Sequence, residues 1–192
     1  MLIALCGKSA SGKTTILNEL EKLGVPRIVT MTTRPKRPGE IEGKTYYFRD
    51  EEEFKNLMYY DFFAETTSYC VADGSTWHYG TPKEKLFGDG AIILNPDGLR
   101  SLKDKYKMLV FYLDVPEFVL ERRLKKRGDK KDEARRRLAK DNEDFENIND
   151  YCDWIIGDWW SSPEHIAKKI KTQYDIWCHL QIGDKKDDSR TD

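Results

Sequence analysis

No apolar run in the sequence approaches the roughly 18 residues needed to cross a bilayer. The apolar opening, Met1–Cys6, is too short for a secretory signal and has no basic flank. It runs straight into a glycine loop, so it reads as a buried strand and the expected location is the cytoplasm. Cysteine is scarce: Cys6, Cys70, Cys152 and Cys178 form no CxxC pair and share no metal-ligand rhythm with the three histidines. That excludes a zinc-finger pattern and favours reduced thiols. Excess charge of one sign is also missing. The formal net charge is -1, which argues against sequence-independent binding of nucleic acid or anionic membrane. No Ser-His-Asp or Cys-His arrangement suggests itself, and no internal repeat is visible.

Aromatics are plentiful, with five Trp and ten Tyr, which argues for a folded chain. Charge is clustered rather than absent. Residues 122–137 hold ten Lys and Arg against Asp129, Asp132 and Glu133, a concentration suited to a localised anion such as a phosphate chain. At 192 residues the chain fits one domain.

Short apolar runs at Leu2–Cys6, Ala91–Leu94, Met108–Leu113 and Trp154–Ile156 read as strands, with Arg27–Met31 a weaker candidate. Helical patterns lie between them, at Thr14–Lys22, Glu51–Tyr59, Pro82–Phe87, Pro116–Arg127, Glu133–Phe145 and Pro163–Leu180. All-apolar strands alternating with helices predict an α/β fold with a parallel sheet flanked by helices. Residues 32–81, rich in Thr, Tyr, Gly and Arg, read as an inserted, partly antiparallel lobe. Residues 125–137 read as a charged, hairpin-like insert, and the chain from Gly183 as a disordered tail.

The segment Gly7-Lys8-Ser9-Ala10-Ser11-Gly12-Lys13-Thr14 fits the phosphate-loop pattern G-x-x-x-x-G-K-[ST] and stands between a strand and a helix, where the chemistry requires it. Its backbone N–H groups can turn onto phosphate oxygens, and the helix N-terminus adds its dipole. Lys13 supplies charge, and the Thr14 hydroxyl can ligate Mg²⁺. Gly7, Ser9, Ala10, Ser11, Gly12, Lys13, Thr14 and Thr15 are therefore the candidate nucleotide cradle. The loop alone leaves GTPase, ATPase and small-molecule kinase open, although no N-K-x-D guanine motif of regulatory GTPases is present.

The stretch Thr30-Met-Thr-Thr33-Arg34-Pro-Lys-Arg37-Pro-Gly39-Glu40, continuing through Gly43 and Tyr46 to Phe48, resembles the guanylate kinase signature T-T-R-x-x-R-x-G-E…G-x-x-Y-x-F. Further matches in register are Tyr79-Gly80-Thr81, Ile93–Gly98, Glu121–Gly128, Arg137–Ala139 and Tyr151–Ile156. The resemblance covers residues 2–170. It implies one domain over 1–182, with a core of 1–29, 90–124 and 138–182, an acceptor-binding lobe of 30–89 and a lid of 125–137, before a tail of 183–192.

The resemblance also implies an activity: ATP-dependent, Mg²⁺-assisted phosphorylation of GMP and dGMP by a monomer or homodimer. Arg34, Arg37, Tyr46 and Tyr79 would bind the acceptor phosphate, and Glu65, Thr30 and Thr81 would read guanine. Asp97, counted with the substrate-binding residues, would orient Mg²⁺ through water or hold an acceptor-site arginine. Arg123, Arg127 and Arg137 would reach the ATP phosphates, with Lys13, Arg34, Arg127 and Arg137 as the catalytic set. No general base is needed, because the acceptor is already an oxyanion and transfer spreads negative charge over equatorial oxygens. The sequence departs from the family at Lys8 and Ala10, usually Pro and Gly, and at Asn95, usually Asp. It departs again at Gly157-Asp158, usually Val-Asn, and in the long stretch Thr66–His78 before Tyr79. That stretch and Trp77 leave another nucleoside monophosphate open as acceptor, and a non-catalytic binding module is the remaining alternative.

Overall fold

Five consecutive apolar residues, Leu2–Cys6, form β1, and all five are buried. In the computed structural model, which describes residues 1–70 and 74–187 (182–187 as backbone alone), β1 is a central strand. It pairs in parallel with β6 (Gly90–Ile93) on one side and β7 (Met108–Leu113) on the other, and β8 (Trp154–Ile156) lies beyond β7. Side chains alternate across a strand, so Ile3 and Leu5 enter one apolar cluster and Leu2, Ala4 and Cys6 another. The first cluster packs against α1 (Lys13–Lys22) and α6 (Pro163–Asp187), through Ile16, Leu20, Ile166 and Ile170. The second packs against α3 (Pro96–Leu102), through Leu99 and Leu102. A sheet covered on both faces explains why its strands read as unbroken apolar runs. No helix among the described residues is long and apolar enough to cross a membrane.

A second sheet is built from residues 31–82, in the order β3-β2-β5-β4. It comprises β2 (Met31–Thr32), β3 (Tyr47–Phe48), β4 (Phe63–Cys70) and β5 (Thr76–Pro82), antiparallel except for β2 with β3. The long stretch Thr66–His78 lengthens both arms of the β4–β5 hairpin. The dipeptide Asp73-Gly74 predicts a turn between the arms; Asp73 lies outside the described residues, and Gly74 takes φ +86°. Behind the sheet is α2 (Glu51–Tyr59), whose Asp50 cap accepts the Glu53 N–H at 2.7 Å. The α2 residue Phe54 is fully buried and stacks on Phe63 at 4.6 Å. Gly80 lies under these rings, and a methyl there would come within 2.6 Å of Phe63.

Four sequence expectations need correction. Arg27–Met31 is not one strand: Pro26 and Ile28 bond to Ala91 at the edge of β6, and the chain then crosses to the second sheet at Met31. The Pro82–Phe87 helix is a single 3₁₀ turn, Lys83–Leu86, because Pro82 still belongs to β5. Residues 95–98, which follow the apolar run Ala91–Leu94, open α3, where Asn95 caps the Gly98 N–H at 2.9 Å and Pro96 takes the first helical position. The charged insert of 125–137 is no hairpin. It joins α4 (Glu117–Arg127) to α5 (Lys131–Asp144) through a turn in which Gly128 takes φ +91°. Finally, α6 passes Gly183 and continues to Asp187, since one glycine costs a helix only about 1 kcal/mol. Residues 188–192 lie outside the described residues.

Gly80→Ala should lower stability by about 1–3 kcal/mol, the usual cost of overpacking. A denaturant midpoint unchanged from the parent would show that the Phe54–Phe63 stack does not depend on this close approach.

Candidate active site

The loop from Gly7 to Gly12 leaves the carboxyl end of β1 and opens α1, at the edge where an α/β sheet presents ligand crevices. Gly12 has φ +106° and Ala10 φ +62°, so Ala10 holds a left-handed conformation without being glycine. Arg123, from α4, fastens this part of the loop. It donates to Ala10 O at 3.2 Å, to Ser11 O at 2.9 Å and to Trp159 O at 3.3 Å. The Lys13 ammonium donates to Gly7 O, and to Lys8 O at 2.9 Å. Desolvation lowers its pKa, opposed by the nearby Cys6 and Asp141.

A cavity of about 1030 Å³ extends from this loop. Its walls include Gly7, Ser9–Thr15, Thr30, Arg37, Tyr46, Glu65 and Tyr79, and also Arg123, Arg127 and Arg137. A smaller adjoining cavity of about 140 Å³ adds Arg34 and Glu40 and shares Thr14, Thr30, Arg37, Tyr46 and Tyr79. Arg34 is 4% exposed. Its fork takes both Glu40 oxygens, at 2.6 and 3.0 Å, and its guanidinium lies 5.4 Å from the Tyr46 ring centre.

Glu65 marks the other end. The Thr81 hydroxyl, fully buried, donates to its Oε1 at 2.5 Å, and Thr67 lies 3.4 Å from Oε2. Burial raises the Glu65 pKa, while these hydroxyls pull it back. Asn95 donates to Tyr69 Oη at 2.9 Å and to Thr67 at 3.2 Å, which ties the end of β6 to the β4–β5 hairpin. Tyr69 and Trp77 line the same cavity.

Arginines from both sides converge. Arg37, in the lobe, is pushed down from its ordinary pKa by partial burial and then by Arg34, Arg127 and Arg137. Carboxylates hold the last two in place. Asp129 takes the Arg127 fork at 2.6 Å on both oxygens, and Glu133 accepts from Arg137 at 2.6 Å. The Glu133 pKa is drawn down to about 2 by Arg136 and Arg137. Arg136 also reaches across to Cys70 O in the hairpin, at 3.3 Å.

The structure therefore brings the expected residues onto two joined cavities, with two exceptions. Thr81 is covered, reaching the site only through Glu65. Asp97 is 73% exposed, pairs with Arg100 at 3.1 Å and lines neither cavity. The reason is local: Asn95 caps α3, which leaves Asp97 on its outer side. Sequence reasoning passed over Thr67, Tyr69, Arg136, Lys140, Trp159 and Asp141, all of which line the larger cavity. For Asp141 a signal existed, since it lies four residues beyond Arg137 on one helix and so shares its face.

The guanylate kinase family model matches residues 1–172. A guanylate kinase of Carboxydothermus hydrogenoformans is 37% identical over 166 residues, which is 80% of this chain and 76% of that one. Another, from Caldanaerobacter subterraneus, is 32% identical over 182 residues, covering 89% and 84%. Among solved structures, a guanylate kinase from Anaplasma phagocytophilum superposes with a TM-score of 0.67 at 24% identity, over 89% of this chain and 82% of that one, a likeness of fold. With the phosphate loop, the arginine cluster and Glu65 already in place, the chain belongs to the guanylate kinase family.

Proposed function

We propose that the chain transfers the γ-phosphoryl of ATP to GMP, and to dGMP, by in-line displacement. The observation that carries this is a single cavity lined at once by the phosphate loop, by Arg37, Arg127 and Arg137, and by Glu65. The loop amides and Lys13 would hold the ATP phosphates. Arg34, Arg37, Tyr46 and Tyr79 would hold the acceptor phosphate, with Arg34 orienting from behind its Glu40 pair. The residues 30–89 would then form the acceptor lobe, and the α4–α5 turn region, 125–137, the lid. Guanine offers N1–H and N2–H₂ to the Glu65 carboxylate, whereas adenine presents a lone pair there. A buried charged acceptor left without a donor costs more than the usual 1–3 kcal/mol or so, enough to choose a base.

The donor set also fits magnesium. Among the described residues no three His, Cys, Asp or Glu gather as a cage, while the exposed Thr14 hydroxyl faces the cavity. A hard oxygen donor of that kind suits an ion that keeps most of its ligands as water and phosphate. Such an ion supplies charge neutralisation on the phosphates. The arginines supply the rest, because the reaction needs charge more than covalent help.

A second reading, another nucleoside monophosphate as acceptor, is favoured by Tyr69 and Trp77, which line the same cavity as Glu65. ADP release from ATP and Mg²⁺ with GMP, dGMP, AMP, CMP, UMP and dTMP supplied separately decides between them. Turnover restricted to GMP and dGMP is expected. Turnover with another base alone would overturn the guanine pocket, and none with any acceptor would overturn the kinase reading.

Lys13→Ala should cut kcat by at least about 100-fold with the melting temperature preserved. Full activity in that variant would remove Lys13 from the transfer step. Glu65→Gln should lower kcat/KM for GMP by about 10–100-fold and narrow its lead over AMP; an unchanged GMP/AMP ratio would place base selection elsewhere.

A further inference from the structure

Two carboxylates line the larger cavity among the described residues, Glu65 and Asp141. Glu65 is engaged at the hairpin with Thr81 and Thr67. Asp141 lies on α5. Its Oδ2 accepts the Ser9 N–H of the phosphate loop at 2.6 Å, and it is near enough to Lys13 to favour the charged ammonium. The next residue, Asn142, accepts from Lys8 Nζ at 2.5 Å, so α5 is fastened to the loop at two adjacent points.

A carboxylate in that position is at odds with a loop that binds phosphate. Ser9 offers an amide of the kind that holds phosphate oxygens, and an acid placed beside a triphosphate repels it. A divalent cation between them turns the repulsion into attraction. The two other acidic or acid-like candidates at the end of β6 do not fill that position. Asn95 carries no charge, and its amide is committed to Gly98, Tyr69 and Thr67. Asp97 faces outward to Arg100.

We propose that Asp141 is the carboxylate that faces the magnesium ion carried by ATP, accepting hydrogen bonds from that ion's water shell. The inference rests on the ATP-dependent reading above. Thr14 is the direct protein donor, and Asp141, from the other side of the cleft, is a positioning residue. The placement also makes α5 sensitive to the loaded nucleotide, because the same helix carries Arg137.

Calorimetric titration of ATP at a series of Mg²⁺ concentrations tests this, on the parent protein and on Asp141→Asn and Asp141→Glu. The Asn variant can still accept the Ser9 N–H, so it removes the charge and keeps the docking. Asp141 is partly exposed, and thermal melts of both variants report whether the fold is kept. The expected result for Asp141→Asn is a rise of about 10–100-fold in the Mg²⁺ needed for half-maximal ATP affinity, the range usual for outer-shell partners of a metal. Affinity in excess EDTA should be unchanged or tighter, and Asp141→Glu should recover part of the Mg²⁺ response. An unaltered Mg²⁺ dependence overturns the proposal. So does tighter ATP binding with and without Mg²⁺ alike, which would make Asp141 an internal anion competing for the loop. If Asp141→Asn melts out, Asp141→Ala takes its place in the same titration, and the same rise in the Mg²⁺ requirement is the required result. A parent protein that binds no ATP at any Mg²⁺ concentration would instead overturn the kinase reading, a failure distinct from this one.

Discussion

Like charges held close together are the constraint around which the site is organised. Arg34 and Arg37 beside the second sheet and Arg127 and Arg137 on α4 and α5 lie near enough to repel one another: partial burial and then these neighbours push the Arg37 pKa down. Three of them could relax by swinging into solvent, and a paired acid holds each in place. Glu40 takes Arg34, Asp129 takes Arg127, and Glu133 takes Arg137. These pairs are more than ordinary surface salt bridges, whose contribution to stability is small. Their effect is to fix guanidinium orientation in advance, so that an anion entering the cavity meets donors already aimed.

That constraint explains why the two sheets are arranged as they are. The parallel sheet supplies rigidity: β1 is buried on both faces and delivers the phosphate loop from its end. The second sheet, with its own small apolar centre at Phe54, Phe63 and Met31, would supply the proposed acceptor-side groups. Contacts between the two are polar at the site. Asn95 bonds to Thr67 and Tyr69, and Arg136 to Cys70 O. Polar contacts of this kind exchange with water at little net cost, whereas an apolar seam would lock the halves together. Movement of lobe against core is therefore compatible with the packing of each.

The sequence made the parallel core legible because buried parallel strands leave a strong mark. β1, β7 and β8 begin and end where the apolar runs do. The phosphate loop was legible because its spacing is itself the mechanism. Residues that failed to read did so for directional reasons. α3 is seven residues long, too short for periodicity, and its signal lies in the Asn95 cap. Once that cap forms, Asn95 faces the hairpin and Asp97 faces solvent, a reversal that the linear spacing does not reveal. Arg34 read as a free phosphate ligand, yet its burial against Glu40 and Tyr46 depends on a turn whose closure is three-dimensional.

Asp141 escaped notice for a related reason, and its position bears on how the lid would work. Its meeting with Ser9 depends on the angle at which α5 returns from α4, set by the turn at Gly128, whose φ of +91° suits a residue without Cβ. Along one face of α5, Arg137 is held by Glu133 while Asp141 is held by the phosphate loop. One rigid helix thus carries a cation toward the transferring group and an anion toward the loop. A triphosphate attracts the first and, without a metal, repels the second. On the proposal made for Asp141, the helix would seat fully only when nucleotide and divalent ion arrive together, and the charges on α5 would select the metal complex of the donor over the free nucleotide.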